Sequence, residues 1–189
     1  MPFIDFKLGS DGLESIPIQF DSVVSSHNIE HQPDLLLHLN QIEKILSTSG
    51  KFYALVPDNR FCFDRTLARS TIADVLEAHF TQKKVHSLKS IIEHKCLTTH
   101  NDATRHWQTK FQSQEAQVVP ASVLEAVDLW RQSANGYIDV HAWYFTPDSF
   151  SKILNLLFEM KLTKLKVEKI FETSYGSNEF WAILEKSYS

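Results

Sequence analysis

Between positions 20 and 57, the spacing of apolar residues changes from strand-like to helical and back. A short apolar run at residues 21–26 predicts a buried strand. From Pro33 onward, apolar residues recur at helical intervals, which predicts a helix that Gly50 ends as a left-handed cap. A second run, residues 52–56, predicts a central strand buried on both faces, with residues 21–26 as its parallel neighbour. Strand, helix and strand with short links indicate a right-handed βαβ unit.

The pattern becomes irregular over residues 57–136, which we interpret as a helical insertion. Short helices are predicted to start near Thr71, with Asp74 completing a capping box, and to cover residues 88–95 and 122–132. Polar segments such as residues 98–105 separate them. Long insertions on α/β folds are often lids or substrate walls.

Regular patterns return after residue 136. Residues 137–145 look strand-like, and Thr146 with Pro147 predicts the start of another helix. Residues 165–173 and 179–186 predict a closing antiparallel hairpin, which would make the sheet mixed. At the other end, residues 3–8 are a weak strand or part of a loop.

Composition narrows the classes of protein that this chain can be. Its 189 residues are enough for one domain, which we assign to residues 1–189. A net charge of −4 argues against non-specific nucleic-acid binding. No apolar run approaches the roughly 20 residues that cross a bilayer. The two cysteines suggest no disulfide framework, and the N-terminus has no signal-peptide layout, so we expect a cytoplasmic protein.

Ionisable residues follow the first predicted strand. His27, Glu30 and His31 come directly after the serines that end it. Ligands of open α/β sheets bind past the carboxyl ends of the strands, and a histidine there can act as a general base. The alternative is that Glu30 and His31 cap or orient the next helix.

Polar residues at two other places could contact a substrate. Asp139, His141 and Trp143 alternate, so on a strand they would share one face and could line a sugar or another polar molecule. Asp58, Arg60 and Asp64 follow the second predicted strand. The alternative for the first group is an ordinary half-exposed strand, and the alternative for the second group is a solvated loop.

Histidine and cysteine residues do not predict a metal site. The spacing of His94, Cys96, His100 and His106 matches no familiar tetrahedral zinc pattern. A scattered polar helix surface explains these residues better, and we expect no metal.

Several motifs together resemble the class I S-adenosylmethionine-dependent methyltransferases of the type-11 group. FDSVVSSHNIEHQPD at residues 20–34 and LSTSGKFYALVPD at residues 46–58 resemble the fourth strand, following helix and fifth strand of that family. The HxxEH of residues 27–31, PDNRFCFD at 57–64 and DVHAWYFTPDSF at 139–150 resemble a bacterial subgroup associated with cell-surface polysaccharide genes.

The resemblance implies a fold, a cofactor and site residues. The fold is α/β, a partial Rossmann-like methyltransferase sheet with a closing antiparallel hairpin, and the cofactor is S-adenosylmethionine. His27 and His31 are the catalytic candidates, and the substrate would be a small or sugar-like molecule. The implied cofactor-binding residues are Ser10, Asp11, Ser25 and Ser26, and the implied substrate-binding residues are Asp58, Arg60, Asp139, His141 and Trp143.

One part of the family pattern is missing from this sequence. The family's glycine-rich loop follows its first strand, but this chain has five glycines and no glycine cluster. The sequence matches the family from just before the fourth strand, which would leave the cofactor crevice without one wall. We therefore expect weak or absent cofactor binding by this chain alone. The alternative function is a non-catalytic, truncated binding or assembly partner.

The missing strands would also leave residues 21–26 at the edge of the sheet. This segment lacks the lysines or proline that protect edge strands. A homodimer is therefore expected, unless residues 3–8 cover the edge.

Overall fold

The computed structural model describes residues 5–7, 12–109 and 118–187. The fold is mixed α/β, as predicted. Its strands are β1 (Phe20–Ser26), β2 (Leu46–Pro57), β3 (Leu165–Phe171) and β4 (Glu179–Lys186). Its helices are α1 (Leu35–Ile45), α2 (Ile72–Phe80), α3 (Leu88–Cys96), α4 (Ala103–Gln108), α5 (Pro120–Gln132) and α6 (Pro147–Glu159). No helix within the described ranges is long and apolar enough to cross a membrane.

The four strands form one sheet in the order β1-β2-β4-β3. β1 and β2 are parallel, with Val23 opposite Phe52, which confirms the predicted βαβ unit. β4 runs antiparallel to both of its neighbours, β2 and β3. The closing hairpin is therefore confirmed, although β3 ends at Phe171, two residues earlier than predicted.

The helix α1 ends earlier than its apolar pattern predicts. Its N-cap is Asp34, whose side chain accepts a hydrogen bond from the Leu37 N–H at 2.9 Å. The helix ends at Ile45, and Gly50 lies inside β2, so the prediction that Gly50 caps the helix was wrong. A Cβ at Gly50 would lie 3.0 Å from the Phe20 carbonyl oxygen, which shows that the glycine allows close approach of β1 and β2.

One face of the sheet is buried and the other is partly open among the described residues. Phe52, Ala54 and Val56 of β2 point to the buried face, where α1 and α6 contribute Leu36, Leu39, Phe150, Leu154 and Leu157 to the core. The other face, which we call the outer face, includes Val24, Tyr53, Phe171, Trp181 and Ile183. Val24 is 67% exposed and Trp181 is 44% exposed. The prediction that residues 52–56 are buried on both faces was therefore wrong.

Helices α2, α3 and α5 confirm the helical reading of the middle of the chain. Thr71 caps α2 through a reciprocal pair of hydrogen bonds with Asp74, as the sequence predicts. Helices α3 and α5 pack on each other around Ile91 and Ala126. Helix α4 begins at Ala103, inside the stretch predicted to be a polar connection. That these residues form an insertion stays a prediction.

Residues 137–145 form no strand, contrary to the prediction. Their backbone forms one isolated bridge, between Asp58 and Phe145. Other backbone groups bond to scattered partners instead of a strand: the Ala142 N–H donates to the Glu30 carbonyl, and the Tyr144 N–H donates to the Ser70 hydroxyl. Alternating polarity alone could not reveal that these partners come from separate loops.

Candidate functional site

A polar site lies where the parallel strands β1 and β2 reach their carboxyl ends. Directly after β1, His27 adopts a positive φ of 47° and its N–H donates to the Leu55 carbonyl at 3.0 Å. Left-handed backbone is uncommon for a residue other than glycine and often occurs at functional sites. The chain then enters a short 3-10 turn, Ile29–His31, which points Glu30 into the protein.

Glu30 is the centre of this site. Its side chain is 1% exposed, and both carboxylate oxygens are without a hydrogen-bond partner among the described residues. Three imidazole nitrogens surround Oε1: His27 Nδ1 at 3.6 Å, His31 Nε2 at 3.8 Å and His141 Nε2 at 3.9 Å. Burial raises the pKa of the Glu30 carboxyl above its ordinary value, and the histidines act in the opposite direction. We call these four residues the Glu30 cluster.

Each histidine of the Glu30 cluster contacts a second carboxylate through its other ring nitrogen. The pairs are His27 Nε2 with Glu179 Oε2 at 2.5 Å, His31 Nδ1 with Asp139 Oδ1 at 2.8 Å, and His141 Nδ1 with Asp64 Oδ2 at 2.6 Å. Together with Glu30, these carboxylates come from four different parts of the fold. The hydrogen bonds to Glu179 and Asp64 fix the orientation of the His27 and His141 rings, whereas His31 Nδ1 contacts Asp139 without hydrogen-bond geometry.

His94 and Phe63 form the apolar side of the cluster. The His94 ring lies 5.3 Å from the His141 ring, and Phe63 packs on both histidines. His94 Nδ1 accepts the His141 backbone N–H at 3.1 Å. Burial lowers the pKa of His94 to about 4, so this ring is neutral around neutral pH.

Asp58 and Arg60 form a tight pair after β2. The Asp58 side chain is fully buried and receives hydrogen bonds from Arg60 Nε at 2.9 Å, Arg60 Nη2 at 2.6 Å and the Thr173 hydroxyl at 2.6 Å. These hydrogen bonds hold the loop after β2, so the Asp58 carboxylate is already engaged. Arg60 is 38% exposed, so its guanidinium is accessible to a ligand, whereas the Asp58 carboxylate is not.

The other candidate residues lie apart from the Glu30 cluster. Ser25 and Ser26 line a cavity of about 410 Å³ beside β1 and α1. Trp143 is buried in the core and donates its indole N–H to the Gln32 carbonyl at 2.5 Å. Asp139, by contrast, is largely exposed and joins the cluster through His31. Ser10 and Asp11 lie outside the described residues.

Two members of the site were not identified as site residues from the sequence. Glu179 orients His27, and His94 packs on His141, although each is distant in the sequence from its partner. Glu179 is the first residue of β4, and the acidic residue at the start of this predicted strand was the available signal. His94 groups with Asp64 and His141 in the folded chain rather than with the nearby Cys96.

His38 of α1 leads to a testable prediction beside the 410 Å³ cavity. Its Nε2 is buried without a hydrogen-bond partner among the described residues, and burial lowers its pKa to about 4. The unfolded chain has a histidine pKa near 6.5, so protons bind the unfolded state more tightly and stability falls as the pH drops from about 6.5 towards 4. Relative to His38→Gln, the wild type should lose about 2 kcal/mol at pH of about 5 in urea unfolding. Parallel pH profiles for the two proteins would contradict this.

Comparisons with known proteins give weak structural similarities. No family model matches the chain, and no curated protein matches its sequence. Solved structures similar to it include a protein described as a Zn-dependent alcohol dehydrogenase from Rhodobacter sphaeroides, with 14% identity and a TM-score of 0.40 over 89% of this chain and 60% of the other. A SAM-dependent methyltransferase from Methanosarcina mazei has 13% identity and a TM-score of 0.36 over 93% of this chain and 64% of the other.

A third similar structure is the geranyl diphosphate C-methyltransferase from Streptomyces coelicolor A3(2). It has 10% identity and a TM-score of 0.29, and the match covers 93% of this chain and 50% of the other. The chain thus spans between half and two thirds of the length of these proteins. The solved structures similar to it include SAM-dependent methyltransferases.

Proposed function

We propose that this chain is a methyltransferase-type domain, residues 1–189, that uses S-adenosylmethionine and acts on a small or sugar-like substrate. The sheet carries this proposal. The resemblance implies parallel fourth and fifth strands and an antiparallel final strand, and the order β1-β2-β4-β3 has a parallel pair followed by an antiparallel β4. The Glu30 cluster lies at the carboxyl ends of the parallel strands, where α/β sheets bind ligands.

The cluster offers groups that suit an acceptor hydroxyl. S-adenosylmethionine, when bound, supplies an electrophilic methyl group, and positioning of the acceptor provides much of the rate. His27 is the most exposed of the three histidines, at 41%, and Glu179 orients its ring. We assign His27 to accept the proton of the substrate hydroxyl, and His31 to hold the arrangement through Glu30 and Asp139.

The accessible polar groups nearby suit a hydrophilic substrate. Arg60 and Asp139 have exposed side chains, and His141 is the buried histidine of the Glu30 cluster. Hydrogen-bond donors and acceptors together match the hydroxyl groups of a saccharide. Trp143 and Asp58 would then shape the walls from behind without direct contact.

The cavity beside β1 fits only part of the cofactor's requirements. Ser25 Oγ is buried there without a partner among the described residues, so it is available to a polar ligand group. However, the sequence has no glycine cluster to bring backbone N–H groups close to the ligand. We therefore expect this chain alone to bind S-adenosylmethionine weakly.

Calorimetric titration of the chain with S-adenosylmethionine tests the proposed function. The expected result is weak, saturable binding in the millimolar range, and Ser26→Trp, which fills the cavity, should abolish it. Tight one-to-one binding in the micromolar range would contradict the expectation of an incomplete cofactor site. No binding at millimolar concentration would favour the non-catalytic alternative over an active methyltransferase.

A non-catalytic binding or assembly partner is the second candidate function. The outer face of the sheet favours it, because Phe171 is 42% exposed and Trp181 is 44% exposed on the same side. Large accessible apolar side chains on one face often mark an interface. Failure of cofactor binding together with a stable assembly would favour this candidate.

In either role we propose a cytoplasmic protein, since both described cysteines, Cys62 and Cys96, are free.

We propose that the chain forms a homodimer through β1. Among the described residues β1 pairs only with β2, so its other side presents unpaired backbone groups, and Val24 is 67% exposed. Light scattering should give twice the monomer mass at micromolar concentration. Val24→Lys adds a charge that protects edge strands and should give a monomer. A wild-type monomer at every concentration would contradict the dimer.

A further inference from the structure

We propose that Glu30, His31 and His141 bind one divalent first-row transition-metal ion, such as Zn²⁺. The spacing of histidines in the sequence predicts no metal site, yet folding brings one carboxylate oxygen and two imidazole nitrogens within 4.8 Å of one another. Glu30 Oε1 lies 3.8 Å from His31 Nε2 and 3.9 Å from His141 Nε2. Ligands of a tetrahedral zinc ion lie about 3.4 Å apart, so a small contraction would place all three on one ion.

The orientation of the two histidine rings supports the proposal. His141 Nδ1 forms a hydrogen bond with Asp64 Oδ2 at 2.6 Å, so this nitrogen carries the proton of the neutral ring. His141 Nε2 then presents a lone pair towards Glu30 Oε1, and His31 Nε2 faces the same oxygen at 3.8 Å. Neither carboxylate oxygen of Glu30 has a hydrogen-bond partner among the described residues, so a cation at this point would bind groups that the protein leaves unsatisfied. A metal ion satisfies all three together.

The carboxylates behind the histidines are those that metal sites use. Metal-binding histidines usually donate their second ring N–H to a carboxylate, which fixes the ring and makes the metal-binding nitrogen more basic. Asp64 accepts from His141 at 2.6 Å, whereas Asp139 Oδ1 lies 2.8 Å from His31 Nδ1 without hydrogen-bond geometry. His141 therefore has this support in full, and His31 has the charge of Asp139 beside it.

Asp64, His94 and His141 form a second possible group, but its geometry is less suitable. Asp64 Oδ2 and His141 Nδ1 are only 2.6 Å apart, a hydrogen-bond distance that is shorter than two ligands of one ion require. His94 Nδ1 already accepts the His141 backbone N–H. The same His141 serves the Glu30 site better, with Nε2 on the metal and Nδ1 on Asp64.

The fourth position of the ion would face His27, which lies outside the three residues whose ligand atoms are all within 4.8 Å of one another. His27 Nδ1 lies 3.6 Å from Glu30 Oε1, and the His27 side chain is 41% exposed. Three protein ligands with one open position are typical of catalytic zinc, which polarises a bound oxygen and makes it easier to deprotonate. The ion would take the oxygen of a hydroxyl or carboxylate. Metal binding itself does not depend on the proposed methyl transfer.

Titration of the chelator-treated full chain with Zn²⁺, and with Co²⁺ as a spectroscopic probe, tests the proposal. We expect one ion per chain with sub-micromolar affinity for Zn²⁺, visible Co²⁺ absorption, and an increase in the unfolding temperature on metal addition. Glu30→Gln keeps the shape of the side chain and should weaken binding by at least about a hundredfold. Asp64→Asn keeps every proposed ligand but alters the hydrogen bond that orients His141, and it should weaken binding by about tenfold to a hundredfold.

His38→Gln is the matched control, because it removes a histidine whose Nε2 is also buried without a partner among the described residues but which lies outside the Glu30 cluster. It should bind Zn²⁺ like the wild type. His94→Gln distinguishes the two possible groups, because His94 belongs only to the group with Asp64 and His141. Circular dichroism of each metal-free variant shows whether it is folded. The proposal would be overturned by failure of the wild type to bind one ion, by equal binding in Glu30→Gln, or by loss of binding in His94→Gln while Glu30→Gln still binds.

Discussion

Replacement of Asp58 by alanine is expected to lower the free energy of unfolding by about 3 kcal/mol. The carboxylate is fully buried and accepts bonds from Arg60 and the Thr173 hydroxyl, so its loss leaves several donors without a partner. The exposed part of Arg60 can still reach water, which keeps the loss moderate. Urea unfolding monitored by tryptophan fluorescence measures the change.

Thr173→Val is the control for the Asp58 prediction. It removes one hydrogen bond to the same carboxylate and should cost only about 1 kcal/mol. A double-mutant cycle between Asp58 and Arg60 should give a coupling energy of about 1 to 3 kcal/mol. An Asp58→Ala protein as stable as the wild type would show that this pair does not hold the loop after β2.

Glu30→Gln is expected to stabilise the metal-free protein by about 1 to 2 kcal/mol. The carboxylate is 1% exposed and has no hydrogen-bond partner among the described residues, so its charge is costly to bury. A glutamine amide has no charge, and its N–H groups can donate to the Nε2 atoms of His31 or His141. Unfolding in the presence of a chelator, near neutral pH, measures the effect.

Glu43→Gln provides the comparison for Glu30. Glu43 is also shielded, at 15% exposure, but its carboxylate accepts the Lys164 backbone N–H at 2.8 Å. The same substitution should therefore be neutral or slightly destabilising at Glu43. If Glu30→Gln lost stability to a similar extent as Glu43→Gln, the Glu30 carboxylate would have stabilising partners that the structure does not show.

Local patterns predicted much of the fold because its regular elements depend on nearby residues. The periodic apolar face of α1 and the capping box of Thr71 and Asp74 are short-range features, and both were confirmed. The end of α1 was not predicted, because a glycine after a helix suggests a cap. Gly50 instead allows β1 to approach β2, a contact between segments that are thirty residues apart.

The candidate site was predicted only in part for the same reason. His27, Glu30 and His31 lie together in the sequence, so their common position after β1 could be inferred. The approach of His141 to Glu30 depends on the path of residues 137–145, which bond to separate loops and not to a strand. No local pattern indicates that Asp64 and Glu179 would orient two different rings of one cluster.

The central claim is that this chain is a methyltransferase-type domain with its site after β1. An NMR titration with the product form of the cofactor tests this claim most directly. The amide spectrum of the chain is recorded during titration with S-adenosylhomocysteine. Weak, saturable shifts of Ser25, Ser26 and His27 are expected, with small changes at helix α5, which contributes no residue to the site. Absence of shifts at the end of β1 at millimolar ligand, or shifts confined to other regions, would contradict the claim.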